Sequence, residues 1–280
     1  MHAQPEWLRR VPTDKRLPED AVVVHTGCGT SFHAAQTGGF AVQALEAVLR
    51  PPHADIMVCV SHEGGTELTI EAERAFGGDV WLVTGNPGSE FAQQVDEVIV
   101  CTPEIERSWC HTASYTAAVA AIAALHGDDI SALPETVERA LQQDVEPFEE
   151  SRVLIVGAGR DWPTAQEAAL KLREGAWVDA TAYHTETILH GHLAAVDESV
   201  RAYVLQGEGR AEDRAADALK ALETLGCRVD LVPTAHPVVD IVRFQLLTLA
   251  VAEARGIDPD PIRRTAGSPW AEAAGEPYPG

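Results

Sequence analysis

Short β-branched runs recur along this chain at 22–25, 56–60, 80–84 and 98–101, and stretches compatible with helix lie between most of them. Such alternation predicts parallel strands joined by helical crossovers. The pattern restarts at 153–156, continues at 200–206 and 228–232, and ends in an apolar helical stretch at 237–252. Two similar units are therefore expected. Both open alike, with V-V-V-H-T-G-C-G-T-S at 22–31 and V-L-I-V-G-A-G-R-D-W at 153–162: a strand, a glycine turn, then a helix. Between them, residues 134–150 read as a polar linking helix, with Pro134 near its start and Pro147 close to its end. The length of 280 residues and a 45% hydrophobic content suit two domains, each with a buried core.

Charge removes several partner classes. Lysine and arginine number 21 against 43 acids, a formal net charge of -22 that repels phosphate backbones and anionic membrane surfaces. No nucleic-acid or membrane partner is expected. The longest charge-free stretch, 108–127, carries His111, Thr112, Ser114, Thr116 and His126, too polar for a membrane span. Residues 1–10 hold no secretory pattern, and the five cysteines form no C-x-x-C pair. The expectation is reduced thiols and a cytoplasmic location.

A strand that ends in glycines before a helix lets backbone N–H groups approach an anion, because no side chain blocks the way. Gly27 and Gly29 meet that need. A dinucleotide fingerprint would require a third glycine where the chain has Phe32 and, in the second unit, Trp162. Thr30 and Ser31 instead place two hydroxyls at the helix start, able to cap it or to bind a ligand's oxygens. A second loop, S-H-E-G-G-T at 61–66, follows the next strand. In open α/β sheets ligands bind at the strands' carboxyl ends, so the two loops could converge on one crevice.

With these residues assembled, the chain resembles the double sugar-isomerase (SIS) domain family, the isomerase half of glucosamine-6-phosphate synthase and its stand-alone phosphosugar isomerase and deaminase relatives. H-A-Q-P-E-W-L-R-R at 2–10 resembles the family's opening arm, G-C-G-T-S at 27–31 is identical to its first loop, and S-H-E-G-G-T stands where it has S-Q-S-G-E-T. P-E-I at 103–105 with H-T-A-S-Y-T at 111–116, E-A-A-L-K-L-R-E at 167–174, A-Y at 182–183 and H-G at 190–191 follow in the family's order. The fold so implied is α/β, two tandem SIS domains, each a doubly wound, flavodoxin-like parallel sheet flanked by helices. The implied layout is an arm at 1–20, a first domain at 21–133, the linking helix at 134–150, a second domain at 151–257 and a tail at 258–280 that completes the site.

The resemblance implies roles residue by residue. Gly29, Thr30, Ser31, Ser61, His62, Glu63 and Thr66 fall on substrate-binding positions, Glu174 on the base that moves a proton between C1 and C2, Lys171 on the lysine one turn earlier, and His190 on a ring-opening histidine that reaches a neighbouring subunit. By spacing alone, Lys171 and Glu174 read as an ordinary exposed i, i+3 pair. A homodimer with shared sites, a sugar-phosphate or amino-sugar substrate and no cofactor are implied. The activity implied is isomerisation or amino-sugar-phosphate deamination without glutaminase activity; a deglycase for fructosamine phosphates and a non-catalytic sugar-phosphate sensor are the alternatives. No metal is expected, because His184, His190 and His192 do not place three ligands on one helical face.

The chain departs from the family at four places. Gly267 stands in place of a lysine that contacts the open-chain sugar, Leu189 in place of the lysine before H-G, and Thr187 in place of the glutamate three residues before His190. Glu63 replaces a phosphate-binding serine. Two unit charges ~4 Å apart at an effective dielectric of ~20 interact by about 4 kcal/mol, so an inward carboxylate opposes a phosphate. Protonation of His62 would offset part of that repulsion.

Overall fold

A computed structural model describes residues 1–274. The chain forms two compact units, Met1–Arg139 with the segment from Arg264 onward, and Ala140–Arg263. Each is built on a four-stranded, all-parallel sheet.

In the first unit, α1 (Gln4–Leu8) precedes β1 (Val23–Thr26), α2 (Thr30–Gln36), α3 (Ala44–Leu49), β2 (Ile56–Val60), α4 (Glu67–Ala75), β3 (Asp79–Thr84), β4 (Glu97–Val100), α5 (Ala113–Leu125) and α6 (Leu133–Ala140). The strands lie in the order β1-β2-β3-β4. Ala41 extends the other side of β1 through a parallel bridge to His25, with the His25 N–H on Phe40 O and the Val42 N–H on His25 O, each at 2.9 Å. Fully apolar β2 reads I-M-V-C-V because both its faces are covered. Met57, Cys59, Val80 and Leu82 pack on Ala44, Ala47, Ile70 and Ala72 of α3 and α4. Helix α2 packs against α5, which is buried around its whole circumference. That burial explains the charge-free stretch at 108–127, and no described helix is long and apolar enough to cross a membrane.

The second unit runs β5 (Arg152–Gly157), α7 (Trp162–Ala176), β6 (Asp179–His184), α8 (Thr185–Leu189), β7 (Val200–Leu205), α9 (Arg210–Thr224), β8 (Arg228–Val232) and α10 (Pro237–Ala254). The final helix, α11 (Pro269–Ala274), belongs to the first unit's closing segment. Strand order is β6-β5-β7-β8, the order of the first sheet with β6 standing where that sheet has only the Ala41 bridge. Right-handed crossovers then place the β5–β6 helix on one face and the β6–β7 and β7–β8 helices on the other. Accordingly α7 packs on α10, while Ile188 of α8 and Ala215, Ala218 and Leu222 of α9 cover Leu154, Val156, Ala202 and Val204.

Two elements differ from the sequence expectation. The polar linking helix ends at Ala140, and residues 141–150 are irregular. Pro147 has no N–H to give a helix and disfavours helical backbone at Glu146. Strand β6, D-A-T-A-Y-H, is not among the β-branched runs of the sequence, since its small residues carry little strand signal. The part of the expected tail beyond residue 274 lies outside the described residues.

Candidate functional site

In the first unit the chain passes from β1 to the Ala41 bridge on one side and returns to β2 on the other. The loops after β1 and β2 therefore lie at the carboxyl ends of the strands on either side of a change of direction, where open sheets bind ligands. After β1, Gly29 takes φ 54° and ψ -130°, a conformation open to glycine, and Thr30 and Ser31 begin α2 with no side-chain cap. Gly27 is required as well: a Cβ there would lie 2.9 Å from the Ser31 carbonyl carbon. Gly29 is exposed, and Thr30 and Ser31 are half-buried.

After β2, Ser61 is buried and its Oγ shares a 3.2 Å hydrogen bond with Thr66 Oγ1 at the start of α4. The loop between them is pinned from β3: His62 O accepts from Gly85 N–H at 2.9 Å and from Thr84 Oγ1 at 3.1 Å, and Glu63 O accepts from Asn86 Nδ2 at 3.0 Å. Glu63 itself is exposed. His62 Nε2 accepts from the Glu106 N–H at 2.9 Å, which leaves Nδ1 as the protonated nitrogen. Burial, and next the His111 ring, push the His62 pKa down to about 4. The imidazole is neutral at pH 7, and the expected offset of a ligand's repulsion by a protonated His62 does not operate.

Sequence reasoning missed Glu106. Its carboxylate accepts from the N–H groups of Thr112, Ala113 and Ser114, from Thr112 Oγ1 at 2.9 Å and from Ser114 Oγ at 2.6 Å, capping α5. Burial would raise this carboxyl, but the His111 ring beside it and the hydrogen bonds from Ser114 and Ala113 outweigh it and hold it far below the usual carboxylate range. An acid followed six residues later by T-A-S was the available signal.

In the second unit, Lys171 and Glu167 are 1% and 0% exposed on α7, with Lys171 Nζ 3.3 Å from Glu167 Oε1 and 2.6 Å from Glu174 Oε2. Glu174 keeps 22% of its side chain exposed. The reading of Lys171 and Glu174 as an exposed pair is corrected: a buried ammonium holds a carboxylate that still reaches the surface. The α7 side chains at i, i+4 and i, i+3 share one helical face, which brings the three charges together.

His190 lies elsewhere in the same unit. Glu174 is in the last turn of α7, beside the start of β6, whereas His190 follows the far end of β6 after α8. A six-residue strand separates these ends by roughly 17 Å, and α7 and α8 lie on opposite faces of the sheet. His190 is 75% exposed. His184 stacks on Trp162 with centroids 3.8 Å apart, and His192 lies 4.9 Å from the Tyr183 ring. Among the described residues no group of three or more His, Cys, Asp or Glu could hold a metal ion.

No family model matches the chain. It is 24% identical over 310 residues to a glutamine--fructose-6-phosphate aminotransferase (isomerizing) of Methanothermobacter thermautotrophicus, covering 91% of this chain and 52% of the relative. The chain spans about half the length of the curated relatives it matches. The C-terminal domain of the glucosamine-fructose-6-phosphate aminotransferase of Francisella tularensis superposes with a TM-score of 0.73 at 19% identity, over 92% of this chain and 96% of that one. A glucosamine-6-phosphate deaminase of Thermotoga maritima gives 0.71 at 18%, over 92% and 93%. The fold, parallel sheets flanked by helices, is the one these two solved structures share.

Proposed function

We propose that the protein is a sugar-phosphate isomerase or amino-sugar-phosphate deaminase that works through an enediol or enolamine. The observation that carries this reading is the α7 triad: buried Lys171 orients Glu174 at 2.6 Å while leaving that carboxylate 22% exposed to receive a carbon-bound proton. In isomerisation Glu174 removes the proton from one of C1 and C2 and returns it to the other. Thr30, Ser31, Ser61 and Thr66 supply neutral donors for the substrate's phosphate and hydroxyls, and His190 opens the sugar ring. Separation of Glu174 and His190 within one unit supports an assembly in which His190 serves a second copy's site. Names of similar proteins, an aminotransferase that isomerises and a deaminase, agree with the substrate class.

The test is incubation with glucosamine-6-phosphate and fructose-6-phosphate, following ammonia and ketose or aldose. Glu174→Gln is expected to lower turnover by about 10²–10⁴. Unchanged turnover in that variant would remove Glu174 from the mechanism. One observation favours the sensor alternative: Gly267, where the resembled synthase has a lysine, sits at φ 79°, a conformation that disfavours any side chain. Calorimetric binding of a sugar phosphate with no conversion of any sugar tested would establish that alternative.

A further inference from the structure

The residues after β6 form a line of contacts that ends on His190. His190 Nε2 lies 3.1 Å from Glu186 Oε2, one helical turn earlier in α8. Glu186 is held in turn from α9, where Arg214 Nε donates to Oε1 and Arg214 Nη2 donates to Oε2 at 3.1 Å. Arg214 also donates through Nη1 to Asp217. Its side chain is 26% exposed, against 55% for Glu186, so the fork belongs to the packed side of the cluster. Two parallel N–H···O bonds set the plane of a carboxylate, which a lone surface pair cannot do. The other titratable rings near α8 are engaged elsewhere, His184 on Trp162 and His192 on Tyr183. Thr187 stands where the resembled sequences carry a glutamate, and Glu186, one residue earlier, brings a carboxylate to the histidine by the i, i+4 relation.

We propose that Glu186 and Arg214 are positioning residues for His190: Glu186 accepts the Nε2 proton, Arg214 locks that carboxylate, and Nδ1 is the atom that exchanges a proton with the sugar. The inference rests on the reading of His190 as the ring-opening group. In that step the bond between the anomeric carbon and the ring oxygen breaks. The ring oxygen takes the Nδ1 proton of the imidazolium, and the anomeric hydroxyl gives its own proton to solvent, from which His190 is recharged. The arrangement of carboxylate, imidazole and reacting proton is the one by which a buried aspartate orients a catalytic histidine in hydrolases; here an arginine fork replaces burial as the source of rigidity.

The full-length protein tests this in two ways. With glucosamine-6-phosphate as probe, Glu186→Gln and Arg214→Met are expected to lower kcat about tenfold with KM nearly unchanged. Arg214→Lys, which cannot form the fork, should recover only part of the loss. Independently of turnover, the ring 15N chemical shifts of His190 should show the Nε2–H tautomer in the wild type and a larger Nδ1–H share in Glu186→Gln, because the acceptor held on Nε2 has gone. If His190→Asn leaves turnover intact, the assignment of His190 itself is wrong. If His190→Asn is inactive while Glu186→Gln and Arg214→Met match the wild type in kcat and in the His190 tautomer, the positioning inference fails and the proposed function stands. A protein that turns over no sugar still tests the contact through the tautomer, which an uninvolved Glu186 would leave unchanged.

Discussion

The two glycine turns have the same backbone and opposite chemistry. Gly27-Cys28-Gly29-Thr30-Ser31 and Gly157-Ala158-Gly159-Arg160-Asp161 both follow a strand, and both place their second glycine at positive φ, 54° and 58°. In each, a Cβ on the first glycine would meet backbone four residues on. The first unit then places two hydroxyls, of Thr30 and Ser31, at a helix start. The second uses its two side chains to stitch the sheet edge together. Arg160 Nη2 donates to Ala235 O at 2.9 Å and its Nη1 lies 3.6 Å from Glu208, while Asp161 Oδ2 accepts from Thr234 Oγ1 at 2.8 Å. A topological switch point is therefore a place where a ligand can bind, and side chains decide whether the chain fills it itself.

If the second unit uses its charges for its own structure, breaking one should cost stability there. Lys171→Ala has the largest expected effect. It strands Glu167, which is 0% exposed, and should lower unfolding free energy by about 3–5 kcal/mol in urea titrations. A loss below about 1 kcal/mol would mean that water reaches Glu167. Next come the turns. Gly29→Ala and Gly159→Ala should each cost about 1–3 kcal/mol, since the strain is in the backbone and the backbones match. A clear inequality between them would break the comparison at its root.

The hydroxyls should separate the units in the other direction. Thr234→Val removes the donor to Asp161, which is 1% exposed and whose Oδ1 has no partner among the described residues, and it also takes away the acceptor for the Gly207 N–H. About 1–3 kcal/mol of stability should go with it. Ser31→Ala should leave stability within about 0.5 kcal/mol, yet weaken binding of a sugar phosphate by calorimetry. Equal stability losses in the two variants would show that Ser31 is as structural as Thr234.

Local periodicity made most of this fold legible, because seven of the strands are β-branched runs and the turns carry their own glycines. Side-chain partnerships far apart in sequence were not legible. Asp161 meets Thr234 across 73 positions, and His25 Nε2 lies 3.0 Å from His126 Nε2 across 101. The spacing of Glu167, Lys171 and Glu174 was visible, but their burial was not, since burial depends on α10 packing over α7. Likewise the E-x-x-x-H spacing of Glu186 and His190 carried no weight until α9 brought Arg214 to it.

The smallest effect expected is a difference in acid response, because the two units pull in opposite directions. In the first, burial drives His25 and His62 down to about 4, so the folded state resists protons that the unfolded chain binds near 6.5. Stability from these groups is present above about pH 6.5 and is lost as pH falls toward 4. In the second, burial raises Asp240 to about 6 against the hydrogen bonds from Ala235 and His236, so its folded form takes up a proton first. That term opposes folding above about pH 6 and is relieved as pH falls toward 4. Hydrogen exchange measured between pH 6.5 and 4 should therefore show amides of β1 and β2 losing protection before those flanking Thr234 and Ala235. Asp240→Asn should flatten the second response and leave the first intact; parallel losses in both units would show that one shared unfolding event, rather than local burial of these groups, sets the acid limit.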